Sequence, residues 1–286
     1  MPSYPDPRDP RRAGQAPAQS RRREKRRRRL PVPGIVLLLF LAGGALFLRG
    51  RFVRPHSPDT PPPASHSEQG EAEAVGDGLL AQLQKLAREE PRARDILSHL
   101  EDYPQELLEL AVRNPETVGF VADYPQEKDR APAETVEEAE RGTIPLLLQW
   151  DPRWGYAQYG DGPMALNGCG PTALSMVICG LTGDGTATPY TVAQYAQEMG
   201  YYVDGVGTSW ELMSAGGAHF GVTARELPLS QPVMENALAA GEPIICSVGP
   251  GDFTTSGHFI VLSGLEDGKF QVRDPNRRST SEKLWD

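Results

Sequence analysis

The sequence predicts an α+β domain over residues 142–286, and two observations lead to that fold class. Within this range the helix-like patterns come first and the strand-like runs come second, an order that is typical of α+β domains. The last two strand-like runs are joined by Glu266-Asp267-Gly268, which predicts an antiparallel hairpin. The range has the size of a single domain.

The elements of this domain are predicted from apolar periodicity and from start and stop signals. The first helix begins at Cys169, where Pro171 suits the first turn and Gly180 is a natural stop. It is apolar on nearly every side, which is typical of a helix buried between layers. Further helices are predicted near 190–199, 209–218 and 231–240, and strands over 220–223, 243–248, 258–262 and 269–273.

Residues 71–141 form a predicted helical stalk or accessory region. Its apolar residues recur at helical spacing, and three prolines are placed to open short helices: Pro91, Pro104 and Pro115. The pentapeptide Asp-Tyr-Pro-Gln-Glu occurs at 102–106 and again at 123–127. Because none of these helices is long enough to be stable alone, we expect them to pack on one another or on the following domain. No catalytic constellation is predicted in this region.

Charge is distributed unevenly along the chain. Residues 1–54 hold 14 of the 29 lysine and arginine residues and three of the 38 acidic residues, so the remainder is strongly acidic. Basic runs such as Arg21–Arg29 bind nucleic acid in some proteins. Here the run stands directly before an apolar segment and apart from the acidic domain, so no nucleic-acid partner is predicted.

Residues 34–48 contain no polar side chain, and with its flanks the segment 31–49 reaches the lower length limit for a membrane-spanning helix. The positive-inside rule then places the basic tail, residues 1–30, in the cytoplasm. The sequence therefore predicts a single-pass anchor in the cell membrane, a proline-rich linker over 50–70 and an extracellular C-terminal domain. A cleaved signal peptide is the alternative, although no clear A-x-A-like site follows the apolar run.

Cys169 has the setting of an activated thiol. It sits at a helix start, where the positive end of the helix dipole favours the thiolate, and the thiolate is the nucleophile. Cys179 follows ten residues later on the same helix, too far away for a disulfide. Cys246 alternates with Ile244 and Val248 and is predicted to be a core residue. A buried, inert thiol is the alternative interpretation of Cys169.

An activated cysteine requires a base, and the base requires a group that orients it. His258 opens an apolar strand after a glycine-rich loop, and Asp274 ends the next strand of the predicted hairpin. If the registers match, the two side chains meet, giving Cys169 as nucleophile, His258 as base and Asp274 as orienter. The alternatives are a histidine bonded to backbone and a turn-forming aspartate. His219 has no matching acid and ranks lower.

Neither a metal nor a cofactor is predicted. Metal sites built from cysteine and histidine need these residues at close, regular spacing, as in zinc-binding motifs. No close Cys/His pair with such spacing occurs in the sequence.

Several motifs occur together in an order that resembles a known family. They are Q-W-D-P-R-W at 149–154, N-G-C-G-P-T-A-L at 167–174, T-P-Y at 188–190, G-T-S-W at 207–210, and G-H-F-I-V-L followed by D-P-N near the end. The set is similar to extracytoplasmic relatives of the bacteriocin-processing (double-glycine leader) cysteine peptidases, which are peptidase C39-like members of the papain-like superfamily. The resemblance covers roughly residues 100–286.

This resemblance implies a papain-like fold with Cys169 as nucleophile, His258 as general base and Asp274 as orienter. Many family members carry an oxyanion-hole glutamine six residues before the cysteine, where this chain has Pro163. Gln149, twenty residues before the cysteine, is the best substitute.

We therefore expect a membrane-anchored, extracytoplasmic cysteine peptidase that cleaves a peptide or protein substrate through a thioester acyl-enzyme. Two alternatives stay open. An acyltransferase, isopeptidase or amidase acting on cell-envelope peptides uses the same nucleophile and base, whereas a binding module keeps the fold without turnover. The sequence does not indicate an oligomeric state.

Overall fold

The structure is a computed structural model that describes residues 34–39 and 68–286, with side chains from residue 76 onward. Its helices are α1 Glu68–Glu89, α2 Pro91–Ser98, α3 Gln105–Arg113, α4 Val118–Glu127, α5 Met164–Asn167, α6 Cys169–Thr182, α7 Pro189–Glu198, α8 Glu211–Ser214, α9 Gln231–Ala239 and α10 Arg278–Ser281. Its strands are β1 Gly34–Leu39, β2 Gln158–Tyr159, β3 Gly162–Pro163, β4 Tyr202–Val203, β5 Gly207–Thr208, β6 Val222–Leu227, β7 Ile244–Val248, β8 His258–Glu266, β9 Lys269–Arg273 and β10 Leu284–Trp285. Short 3₁₀ helices cover Leu100–Asp102, Pro115–Thr117 and Gly216–Phe220.

Six strands form one mixed sheet in the order β10-β9-β8-β7-β1-β6. The pairs β7–β8, β8–β9 and β9–β10 are antiparallel, whereas β1 runs parallel to both β6 and β7. Two short hairpins, β2–β3 and β4–β5, lie outside this sheet. Helices followed by a largely antiparallel sheet confirm the α+β prediction.

The sheet separates two hydrophobic clusters. Phe259 and Val261 of β8 belong to the cluster that contains α6, in which every residue from Gly170 to Gly180 is buried. Ile260 and Leu262, which alternate with them, belong to the cluster that contains residues of α9. The period of two in β8 therefore supplies side chains to both faces. Helix α6 is covered on nearly all sides, as predicted, which explains why its side chains are almost all apolar.

Most predicted elements of this domain are confirmed. Helices α7 and α9 and strands β7 and β9 begin and end within one residue of the predicted bounds, and β8 begins at His258 as predicted but runs on to Glu266. The helix predicted near 209–218 is shorter, because α8 ends at Ser214 and a 3₁₀ turn follows. Gly216 and Gly217 begin two residues after Ser214, and glycine is a weak helix former.

The structure differs from the predicted membrane-spanning helix at Gly34–Leu39, which forms β1. Its backbone pairs with β6 and β7, with Gly34 opposite Val222 and Leu37 opposite Ile244. A short continuous apolar run fits a strand buried in a sheet as well as it fits a helix, and periodicity does not separate the two. Within residues 68–286, none of the helices combines the length and the apolar character needed to cross a bilayer. The predicted basic tail, the remainder of the predicted anchor and most of the predicted linker lie outside the described residues.

The helical region packs on the C-terminal domain through a shared hydrophobic cluster. Residues of α3 and α4 in this cluster meet Trp150 and Tyr156 of the following domain. The Phe120 and Tyr156 rings stack with centroids 4.1 Å apart, and the Tyr156 hydroxyl donates to the Phe120 carbonyl at 2.9 Å. The expected packing of these short helices is therefore present. The division of the chain at residue 141 stays a prediction.

The three prolines lie at the predicted helix starts, but the repeated pentapeptide is not a structural repeat. Pro91 opens α2, Pro104 caps α3, and Pro115 opens the 3₁₀ turn before α4. The first pentapeptide therefore begins a helix, whereas in the second Pro125 lies inside α4 near its end.

Candidate active site

Cys169 is the first residue of α6, directly after the short helix α5. Its two glycine neighbours permit close contacts on both sides. A Cβ on Gly168 would lie 2.5 Å from the Met164 carbonyl oxygen, and a Cβ on Gly170 would lie 2.8 Å from the Thr208 side chain. The Gly-Cys-Gly sequence therefore lets the helix start approach its neighbours without obstruction.

The Cys169 thiol is half-buried and surrounded by groups that favour its ionised form. Burial raises its pKa, but hydrogen bonding and charge from His258 and the backbone N–H groups of Phe259 and Gly170 more than offset this, so the pKa of Cys169 is lowered. A thiolate beside an imidazolium is the reactive state of a nucleophilic cysteine.

His258 and Asp274 form a buried pair. His258 Nε2 lies 2.8 Å from Asp274 Oδ1. The β8–β9 register, with Val261 opposite Arg273, brings the two strand ends together, which confirms the predicted contact. Because Nε2 is occupied, Nδ1 is the ring nitrogen left for Cys169. Burial lowers the pKa of His258, but Asp274 and Cys169 outweigh it and raise that pKa to about 9.

The Asp274 carboxylate is fully buried and is held by more than the histidine. Its Oδ2 accepts a hydrogen bond from Thr280 Oγ1 at 2.6 Å, and its Oδ1 accepts one from the Asn276 N–H at 2.8 Å. The Asp274 N–H in turn donates to Ser281 Oγ at 2.9 Å. Asp274 thus forms a turn and also contacts the histidine, so both interpretations of this residue hold. Thr280 and Ser281 were not predicted, because nothing in the local sequence distinguishes them from surface residues.

Gln149 is buried beside the same site. Its Nε2 donates to the Ala165 carbonyl at 2.7 Å and lies 3.3 Å from the Leu166 carbonyl, just upstream of the cysteine. Its Oε1 is buried and has no hydrogen-bond partner among the residues that the structure describes. Pro163, at the position where many relatives have glutamine, lies in β3.

Three of the site residues line one pocket of about 330 Å³. Cys169, His258 and Gln149 lie in it, and the loop 251–257 forms one wall. Leu110 and Arg113 of α3 also line it. Further lining residues are Ala165, Asn276 and Arg277. The helical region therefore contributes to the pocket, although its sequence carries no catalytic constellation.

The other cysteines and His219 have different surroundings. Burial raises the pKa of Cys179 to about 11 and that of Cys246 to about 12, and both thiols are free. Cys246 lies in the core with Ile244, as predicted. His219 is exposed and stacks on Tyr195 with centroids 4.1 Å apart. Among the three cysteines, only Cys169 has a lowered pKa and a place in the pocket.

Residues 143–286 match the family model described as Peptidase_C39 like family. The chain belongs to the peptidase C39-like family. This result confirms the family resemblance that the motifs indicated. Comparisons with curated proteins and with solved structures returned no match. The C39-like match contains Cys169, His258, Asp274 and Gln149, whereas Arg113 and the other helical residues at the pocket lie before it.

Proposed function

We propose that the chain is a cysteine peptidase that hydrolyses peptide bonds through a thioester acyl-enzyme. The observation that carries this proposal is the continuous contact from the Cys169 thiol to His258 and from His258 to the buried Asp274. A nucleophile, a base and a group that orients the base are the parts that such catalysis needs.

In the proposed reaction the Cys169 thiolate attacks the carbonyl carbon of the scissile peptide bond. The C–N bond breaks as the His258 imidazolium gives its proton to the leaving amine, and a thioester remains on Cys169. A water molecule then attacks the thioester while His258 takes its proton, which releases the acid and restores the thiolate. Asp274 keeps the imidazole ring in position and does not take part in bond making.

The developing oxyanion needs hydrogen-bond donors close to Cys169. A helix start leaves its first backbone N–H groups without intrahelical partners, and Cys169 is the first residue of α6. We assign a second donor to Gln149, whose Nε2 donates to the Ala165 carbonyl at 2.7 Å and to the Leu166 carbonyl at 3.3 Å. The proton of the longer, weaker bond is the one that the oxyanion would take over. Donors of this kind stabilise charge that appears only in the transition state.

Mass spectrometry of products from a peptide library tests the reaction. Wild type should release two fragments per cleavage, and Cys169→Ala should release none, whereas Cys179→Ala should keep activity because its thiol lies in the core. Adding an amine acceptor separates hydrolysis from acyl transfer, since a transferase joins the acyl fragment to the amine. Full cleavage by Cys169→Ala would exclude this mechanism, and a folded wild type that cleaves no peptide would favour a binding module.

The location of the domain is a separate proposal that rests on the sequence. The basic run Arg21–Arg29 before the apolar residues 34–48 favours a cell-membrane anchor with the C39-like domain outside. The backbone of Gly34–Leu39 pairs with β6 and β7, which instead favours these residues as a strand of the domain. Protease added to intact cells should remove the domain and leave the basic tail if the anchor is correct. Leu37→Pro should lower the melting temperature of the domain only if β1 belongs to it, because proline removes a ladder N–H.

A further inference from the structure

The helical region contacts the segment that surrounds Asp274, and the helical side of this contact lies outside the part of the chain that matches the family. We propose that Glu116 is a positioning residue for the His258–Asp274 pair, acting through the segment 275–281. The proposal rests on the proposed roles of Cys169 and His258, but it concerns a residue of the preceding helical region.

Glu116 holds the start of α10 with both carboxylate oxygens. Its Oε2 accepts a hydrogen bond from the Arg278 N–H at 2.7 Å. Its Oε1 accepts bonds from the Ser279 N–H at 3.1 Å and the Ser279 hydroxyl at 2.6 Å. Although burial raises the pKa of Glu116, these donors more than offset it and lower the pKa. Glu116 is therefore a carboxylate at neutral pH, the form that accepts bonds at both oxygens.

The residues that follow on α10 hold Asp274. Thr280 Oγ1 donates to Asp274 Oδ2 at 2.6 Å, and Ser281 Oγ accepts from the Asp274 N–H at 2.9 Å. Ser279, which Glu116 contacts, is adjacent to Thr280 and is separated from Ser281 by one residue. A displacement of α10 therefore moves the groups that fix the Asp274 carboxylate.

The Thr280 hydroxyl has a competing acceptor. It lies 2.9 Å from the Arg277 carbonyl as well as 2.6 Å from Asp274 Oδ2, and one hydroxyl proton serves only one of them fully. If α10 moves, Thr280 can turn to the carbonyl and leave Asp274 Oδ2 buried without its donor. An unpaired buried carboxylate oxygen is costly, so Asp274 would shift or lose its alignment with His258.

Further hydrogen bonds hold residues 276 and 277, near the beginning of the segment 275–281. The buried Asn114 donates through Nδ2 to the Asn276 carbonyl at 2.7 Å, and Trp150 Nε1 donates to the same carbonyl at 2.7 Å. Arg277 Nη2 donates to the Arg113 carbonyl at 2.9 Å. Residues 276–279 of the segment are therefore attached to the helical region, and Glu116 is the acidic member of the attachment.

The test measures alkylation of Cys169 by iodoacetamide against pH in the full chain, with mass spectrometry of the Cys169 peptide. Glu116→Ala should raise the midpoint of the alkylation profile by about half a pH unit, which is about a 3-fold loss of thiolate at any pH well below the midpoint. Glu116→Gln should give a smaller shift, because an amide oxygen still accepts one bond. Glu109→Gln is the matched control, since Glu109 lies on α3 and accepts from Gln105 of the same helix.

Two measurements keep this inference separate from the proposed function. Thr280→Val should give the same shift as Glu116→Ala, and the double variant should add little, because both act on one carboxylate. The downfield proton resonance of the His258–Asp274 hydrogen bond should move in Glu116→Ala and stay unchanged in Glu109→Gln. An unshifted resonance and alkylation profile in folded Glu116→Ala would overturn the inference even if the peptidase is active. A wild-type Cys169 that reacts as an ordinary thiol would instead overturn the proposed function, and the resonance would still decide the role of Glu116.

Discussion

His258 Nε2 lies 2.8 Å from Asp274 Oδ1, and these two side chains are 7% and 0% exposed. Burial alone lowers the pKa of a histidine, but the contacts with Asp274 and Cys169 raise the pKa of His258 to about 9. The imidazolium that protonates the leaving amine in the proposed mechanism therefore persists through neutral pH.

We expect peptide turnover to fall as the pH rises through about 9, because the imidazolium form of His258 is lost there. Asp274→Asn removes a group that raises this pKa, so its turnover should fall from a lower pH, by about one unit. The dependence of kcat/KM on pH measures this fall in the wild type and in Asp274→Asn. Asp267→Asn is the control, because Asp267 lies exposed in the turn at the other end of the same hairpin. Coincident profiles for wild type and Asp274→Asn would exclude the orienting role.

Gln149→Ala should separate turnover from thiol reactivity. If its amide steadies the oxyanion, kcat should fall on the order of 10²-fold, or ~3 kcal/mol, while alkylation of Cys169 by a small reagent stays near normal. Gln149 also donates to the Ala165 carbonyl before the nucleophile, so a displaced helix start would change both rates. Equal losses in the two assays would thus assign Gln149 a packing role. Gln84→Ala, exposed on α1, is the control substitution.

The sequence was sufficient to predict those parts of the site that depend on local pattern. Glycine and proline around Cys169 mark a helix start, and the Asp267-Gly268 turn fixes the hairpin that carries His258 and Asp274. Each of these signals lies within a few residues of the feature that it predicts.

The remaining parts depend on contacts between residues far apart in the chain. Glu116 accepts a hydrogen bond from the Arg278 N–H, 162 residues away in the chain. Apolar periodicity does not predict which surface a short helix will contact. Leu110 and Arg113 reach the pocket for the same reason. The strand at Gly34–Leu39 was missed because a short apolar run has no distinguishing period.

Gly170→Ala should destabilise the domain. Its added Cβ would lie 2.8 Å from the side chain of Thr208 on the β4–β5 hairpin, and overpacking of this kind costs about 1–3 kcal/mol. Gly119→Ala in α4 is the matched control, because no atom of the described residues lies within 4 Å of its added Cβ and alanine is the better helix former. Urea unfolding of the two variants measures the difference. Equal stabilities would show that the hairpin moves away from α6 without cost.

The position of Arg113 at the pocket leads us to expect a preference for peptides with an acidic side chain beside the cleaved bond. Two arginines, Arg113 and Arg277, and one acidic residue, Asp252, line the pocket, whereas residues 55–286 as a whole hold 35 acidic and 15 basic residues. A cationic wall in an acidic domain attracts a carboxylate near the cleaved bond. For matched peptides that differ only by Glu or Gln beside that bond, kcat/KM should favour the acid about 3-fold, the size of a partly exposed charge pair. Arg113→Gln should remove this ratio and high salt should reduce it, while Arg88→Gln, exposed on α1, should leave it unchanged. A ratio of one in the wild type, with both peptides cleaved, would exclude this specificity without affecting the assignment of the nucleophile.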